Sequence, residues 1–173
     1  LFMKARFNWG LKEVSFGFAY VGVMIVITQG VLVRRLIPKF GEKQVLRFGL
    51  IFMAMGLCLI PMAQSLLVMA ISQTLIALGI GFINPSTLGS VSLLIDPKEQ
   101  GAALGTTQGM ASLGRIIGPV MGGALFGSLS EGSPFIVAGL MTLIGFFVII
   151  SIYSDIPNAG QTVKTNVDGP VTP

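Results

Sequence analysis

Histidine is absent from the 173 residues, cysteine and tryptophan occur once each, and only 10% of the chain is charged. Each shortage closes a class of function. Without histidine there is no imidazole to act as general acid, general base or metal ligand, so a serine nucleophile would lack its usual partner. A Ser–Lys pair is conceivable, but no Lys lies within the apolar runs. No Walker loop and no metal-ligand cluster occurs. The chain is therefore not expected to be an enzyme, and neither a cofactor nor a metal is expected. Cys58 cannot form an internal disulfide and sits in an apolar run, where a buried, inert thiol is the default. Soluble domains carry roughly 25% charged residues, so a water-soluble globule does not fit.

What is abundant is apolar surface. Hydrophobic residues make up 53% of the chain, and the mean hydropathy is +0.85. A membrane-crossing helix needs about 20 mostly apolar residues. Five such runs are expected, at about 14–33, 46–63, 66–95 (interrupted by Asn84-Pro85), 101–127 and 135–153. They do not alternate in polarity, which argues against barrel strands. The fold class is thus an all-α, polytopic helical bundle. Residues 1–13 read as an external loop and the end of a truncated helix. Residues 154–173, rich in Pro, Gly and Thr, read as a disordered cytoplasmic tail. No signal peptide is expected at the start of the chain. Beginning at Leu1, it reads as a fragment lacking its N-terminal part.

The net charge of +4 is less telling than its placement. Five of the eleven basic residues, Arg34, Arg35, Lys39, Lys43 and Arg47, lie between two apolar runs, with Glu42 the one acid among them. A nucleic-acid patch squeezed there is a poor reading, whereas positive-inside anchoring fits. The 34–47 loop is then cytoplasmic, and residues 1–13 are external. Lys4, Arg6 and Lys12 mildly oppose that bias, while Phe7 and Trp9 suit the interfacial belt.

Polar groups set deep in the runs are the candidate site. Arg115 falls near mid-membrane, where a charge costs roughly 2.5–3.5 kcal/mol on insertion scales. The five runs hold no Asp or Glu. A compensating group would come from outside this chain, from a ligand, or from a water-filled cavity; snorkelling or backbone carbonyls are the plainer alternative. Asn84, Gln73 and Gln108 either line a pathway or hydrogen-bond between helices. Thr28 and Gln29 read as interfacial. Gly114, Gly118 and Gly122 recur every four residues beside Gly123, which lets a neighbouring backbone approach closely. Pro119 in their midst bends the helix. Packing is the first reading of this run and a hinge the second.

Residues 114–123, GRIIGPVMGG, match every fixed position of the antiporter motif G-x-x-x-G-P-x-x-G-G, at Gly114, Gly118, Pro119, Gly122 and Gly123. The loop GVLVRRLIPKFGEKQ resembles the signature G-x-L-x-D-R-x-G-R-R. Gly30, Leu32 and Arg35 match, Arg34 stands at the acidic position, and Gly41 comes four residues late. The run from Leu78 to Gly109 resembles the fourth or tenth helix and the loop after it, with Gln73 near the place where the N-terminal copy carries an arginine. On these residues the chain is similar to half of a major facilitator superfamily transporter, of the tetracycline-efflux and multidrug drug:proton antiporter type.

The resemblance implies helices 8–12 of a twelve-helix protein of the inner (plasma) membrane. Alternating access would be built from two halves, the N-terminal one missing here. The glycine–proline motif is best known in the fifth helix, which leaves helices 2–6 as the other assignment. The implied activity is proton-coupled export of a small, partly apolar compound. Uptake of a sugar or organic anion and a non-transporting membrane scaffold are the rivals. The implied partners are the small-molecule substrate, protons, the bilayer and the missing half, with no nucleic acid. At the cytoplasmic gate, Arg34, Arg35 and Lys43 would pair with acids that come and go between states, or would only set topology.

Overall fold

The computed structural model describes residues 2–152. The tail expected at 154–173 lies outside the described residues. Among the described residues the chain is helical throughout, with no strand. Its elements are α1 (Phe2–Phe7), α2 (Leu11–Ile27), a π-helical segment (Thr28–Val33), α3 (Arg34–Leu59), a 3-10 turn (Ile60–Met62), α4 (Leu66–Leu94), α5 (Gln100–Ser128) and α6 (Ser133–Ile152). Four helical runs are long and apolar enough to cross a membrane: Leu11–Met62, Leu66–Leu94, Gln100–Ser128 and Ser133–Ser151. The first, at 52 residues, is more than twice the length of one crossing. That length would suffice for two crossings.

The basic stretch between those two spans is helical rather than a loop. Leu36 and Ile37 pack against a buried cluster of Val33, Val45 and Phe82, so tertiary packing holds the segment in register. The break falls at Gly41, whose φ of 79° and ψ of 161° interrupt α3. Only glycine adopts that backbone readily. Pro38, three residues earlier, has already removed one ladder donor. The expected interruption at Asn84-Pro85 does not occur: α4 runs unbroken through Pro85.

α1 ends in a left-handed cap. Asn8 has φ 51°, and its N–H donates to the Lys4 carbonyl at 3.1 Å. The chain then turns into α2, with the Phe7 and Trp9 rings 5.8 Å apart. At the far end of α3, Ser65 caps α4 by accepting the Val68 N–H at 3.4 Å.

The tightest packing is between α3 and α4, which run antiparallel along a seam of glycines. A Cβ at Gly79 would stand 2.7 Å from the Met53 Cβ and 2.9 Å from the Gly49 carbonyl oxygen. One at Gly56 would stand 2.7 Å from Ile76 Cγ1 and 2.9 Å from the Ser72 carbonyl oxygen. The backbones touch because no side chain separates them. The π-helical segment meets α4 in the same way: a Cβ at Gly81 would lie 2.5 Å from the Thr28 methyl carbon. Away from the basic end, Phe2, Ile60, Ala63 and Met69 form a second buried cluster. Phe135 of α6 stands edge-on to Phe2, with ring centroids 5.2 Å apart.

α5 is the exception. It is tied at both ends and bare between them. At its start Gln100 Nε2 donates to the Ser92 carbonyl at 2.9 Å. At its end the Ser133 hydroxyl lies 2.8 Å from the Leu125 carbonyl. Every residue from 108 to 121 is exposed. Yet α5 is the least apolar of the four runs, with a mean hydropathy of 1.2 against 2.1, 2.2 and 2.3 for the others. A helix bathed in lipid on all sides would show the opposite ranking.

Candidate transport pathway

Arg115 sits in the middle of this bare stretch. At about 1.5 Å per residue it lies roughly 20 Å from either end of α5. No described residue gives it an ion-pair or hydrogen-bond partner. Gln108 lies on the same helix, also exposed. The two are therefore neighbours on α5 but stand apart from the other expected pathway residues. Asn84, on α4, is exposed.

Gln73 is different. It is buried, only 8% exposed, and lines two neighbouring cavities. The larger, of about 400 Å³, is walled by Phe2, Phe18, Met69, Ile76, Ile80 and Phe135 among others. The smaller, of about 140 Å³, is bounded by Trp9, Tyr20, Leu66 and Ala70. Gly17 and Met69 line both, as Gln73 does. The Gln73 amide nitrogen lies 4.0 Å from the Met3 sulfur, a weak partner. Next to Gln73 in sequence, Thr74 Oγ1 shares a hydrogen bond of 2.7 Å with the hydroxyl of Tyr20, which lines the smaller cavity, and lies 2.7 Å from the Ala70 carbonyl. The arrangement is an apolar chamber with one amide as its polar handle.

The glycine–proline run does not make the close contacts expected of it within this chain. A Cβ at Gly114, Gly118 or Gly123 would meet nothing within 4 Å, and one at Gly122 would only graze Pro134 at 4.0 Å. Pro119 lies inside a helix that continues to Ser128. Close packing is carried instead by Gly49, Gly56, Gly79 and Gly81. These were not singled out in the sequence because no recognised motif frames them. The seven-residue spacing of Gly49 and Gly56 on one helix face was the available signal.

At the basic end, Arg34 and Arg35 are exposed and Lys43 is buried. Lys39 holds its ammonium 5.4 Å from the centre of the Phe40 ring. Gly30 lies in the π segment with open space around it. Gly41 supplies the break. Thr28, expected at the interface, is fully buried. Its hydroxyl donates to the Met24 carbonyl at 2.7 Å, and its methyl presses on Gly81. Gln29 beside it is exposed. Cys58 is likewise exposed rather than buried.

A stack of long apolar helices, packed through glycines and carrying an arginine and amides at crossing depth, is a multi-pass membrane protein. The chain belongs to the Major Facilitator Superfamily, whose profile matches residues 1–171. It is 28% identical over 145 residues to the class H tetracycline resistance protein of Pasteurella multocida, an alignment covering 84% of this chain and 35% of that protein. It is 27% identical over 145 residues to multidrug resistance protein 2 of Bacillus subtilis, covering 84% and 36%. The human organic anion transporter MFSD10 (TETRAN) has the same fold over 86% of this chain and 34% of its own, with a TM-score of 0.79 at 22% identity. The chain thus spans about a third of the length of the proteins it matches.

Proposed function

We propose that the chain is the C-terminal half of a twelve-helix secondary transporter. It works by alternating access and exports a small, partly apolar compound against inward proton flow across the plasma membrane. The observation that carries this is α5. It is the least apolar crossing and the most exposed one, which is what a helix facing another half and a polar pathway requires. The third-length coverage of the resistance proteins supports the missing half, and their names support the export reading.

In this reading Arg115 and Gln108 look across the gap toward the N-terminal half, where substrate or a carboxylate balances the guanidinium. Gln73 and Asn84 contribute from α4. Gly114, Gly118, Gly122 and Gly123 leave room for the opposing helix, and Pro119 lets α5 flex. Arg34, Arg35 and Lys43 form the gate at the cytoplasmic end, with Gly30 and Gly41 as its flexible points. A charge at mid-depth is retained where it serves a pathway.

The test is flux in inverted vesicles holding the full-length protein. An imposed pH gradient should drive uptake of a tetracycline-like compound, and a protonophore should abolish it. Absence of flux for any compound, with retained association between halves, would favour a scaffold. A second reading, carriage of an organic anion, is favoured by one observation: Arg115 has no carboxylate partner among the described residues. Competition by anionic but not by neutral compounds would select it.

A further inference from the structure

The short helical stretch between the π segment and the Gly41 break has two unlike sides. Leu36 and Ile37 pack against the buried cluster of Val33, Val45 and Phe82. At about 100° per residue, Arg34, Arg35 and Lys39 fit within an arc of roughly 140° on the opposite side. All three are exposed. Taken as two crossings of about 20 residues each, the 52-residue run leaves roughly a dozen residues for its bend, and this stretch falls among them. The cations thus sit at the membrane surface, held in place by their own apolar neighbours.

No acid of the described chain answers them. Glu42, the nearest in sequence, lies over α4: a Cβ at Gly89 would stand 3.0 Å from its Cγ. Among the described residues none of the three cations enters an ion pair. Lys39 instead holds its ammonium 5.4 Å from the centre of the exposed Phe40 ring. With Lys43, Arg47 and Lys98 added, this end of the chain carries six cations against the three acids Glu42, Asp96 and Glu99. Toward the membrane the surface turns apolar. Ile27 and Val31, about two turns and one turn before Arg35, are both exposed.

We propose that Arg34, Arg35 and Lys39 bind the phosphodiester headgroup of an anionic phospholipid, whose acyl chain runs along Val31 and Ile27. A guanidinium fork matches two phosphate oxygens at once, and the ammonium adds a point charge. Each cation beside an anionic lipid surface is worth roughly a fivefold change in association. Setting topology needs only the number of charges, whereas a headgroup site needs them fixed on one arc, as the packing of Leu36 and Ile37 fixes them. An acidic protein segment would satisfy the charges and leave the apolar column bare; one lipid covers both. The inference rests on the double crossing in the reading above and not on export. Arg34 and Arg35 would release the lipid whenever they pair across the gate.

Native mass spectrometry of the full-length protein, titrated in detergent with phosphatidylglycerol or phosphatidylcholine, reads the site directly. Phosphatidylglycerol should bind saturably and more tightly than phosphatidylcholine. Arg34→Gln/Arg35→Gln/Lys39→Gln should weaken it by at least about tenfold. Lys4→Gln/Arg6→Gln/Lys12→Gln removes the same charge elsewhere and should leave it unchanged. The charge-keeping variant Arg34→Lys/Arg35→Lys/Lys39→Arg should retain most of the binding. Equal binding of the two lipids, equal losses in the two glutamine variants, or displacement of the lipid by millimolar inorganic phosphate overturns the proposal. The titration needs no flux. Loss of flux in the first variant with lipid binding intact gives the cations to the gate alone and also overturns it. Selective lipid binding by a protein that exports nothing removes the export reading and leaves the site.

Discussion

Replacing Gly79 by alanine should separate α3 from α4. The new Cβ would stand 2.7 Å from the Met53 Cβ and 2.9 Å from both the Met53 Cα and the Gly49 oxygen. Carbon atoms in ordinary contact are about 3.5–4.0 Å apart, so the shortfall is roughly 1 Å. Two of the three atoms met belong to backbone, and no rotamer change can clear them. The helices must part, which also loosens Gly49 against Ile83 and Gly56 against Ile76. Overpacking of this kind costs about 1–3 kcal/mol, or roughly a 5- to 150-fold loss in the folded-to-unfolded ratio. Helix propensity alone predicts the opposite sign, since alanine exceeds glycine by about 0.5–1 kcal/mol within a helix. Gly145→Ala on α6 is the control, because a Cβ there meets nothing within 4 Å. Unfolding of the full-length protein in detergent, followed by circular dichroism against rising SDS fraction, reads both variants. Gly79→Ala should unfold earlier and Gly145→Ala at the same point or later. Equal shifts, or a more stable Gly79→Ala protein, would refute the close-packed seam.

Three further outcomes are expected. Arg115→Ala should abolish transport in vesicles while the protein still reaches the membrane at normal levels; normal flux would remove the guanidinium from the pathway. Gly118→Leu should leave the contacts within this chain untouched, since Gly118 faces open space, yet impair flux in the full-length protein. Unimpaired flux would mean that no opposing helix comes close there. Gly81→Ala should destabilise by about 1–3 kcal/mol through overpacking against Thr28. Adding Thr28→Ser, which removes the methyl carbon 2.5 Å away, should recover part of that loss in the same SDS titration. Strict additivity of the two changes would show that they do not touch.

How much of this was legible beforehand depended on range. The runs that became α2, α4, α5 and α6 were visible because apolar length is a local property, and the 66–95 estimate differs from Leu66–Leu94 by one residue. The basic stretch was misjudged as a loop. Its charges are local, but the contacts of Leu36 and Ile37 with Val45 and Phe82 that keep it helical are not. The place of Arg115 midway along α5 followed from counting residues. Its isolation did not, because isolation is a relation between α5 and every other helix.

The sequence by itself determined that this protein resides in a bilayer, which family it resembles, and where its charges fall along each crossing. Composition, motif spacing and the 1.5 Å rise of a helix suffice for those. Only the tertiary structure decided which glycines do the packing, that Gln73 lines an apolar chamber while Asn84 and Gln108 are exposed, and that the Glu42 side chain lies over Gly89. Those outcomes depend on which face of one helix meets which face of another. No periodicity within a single apolar helix encodes that choice, because lipid and protein neighbours reward the same side chains.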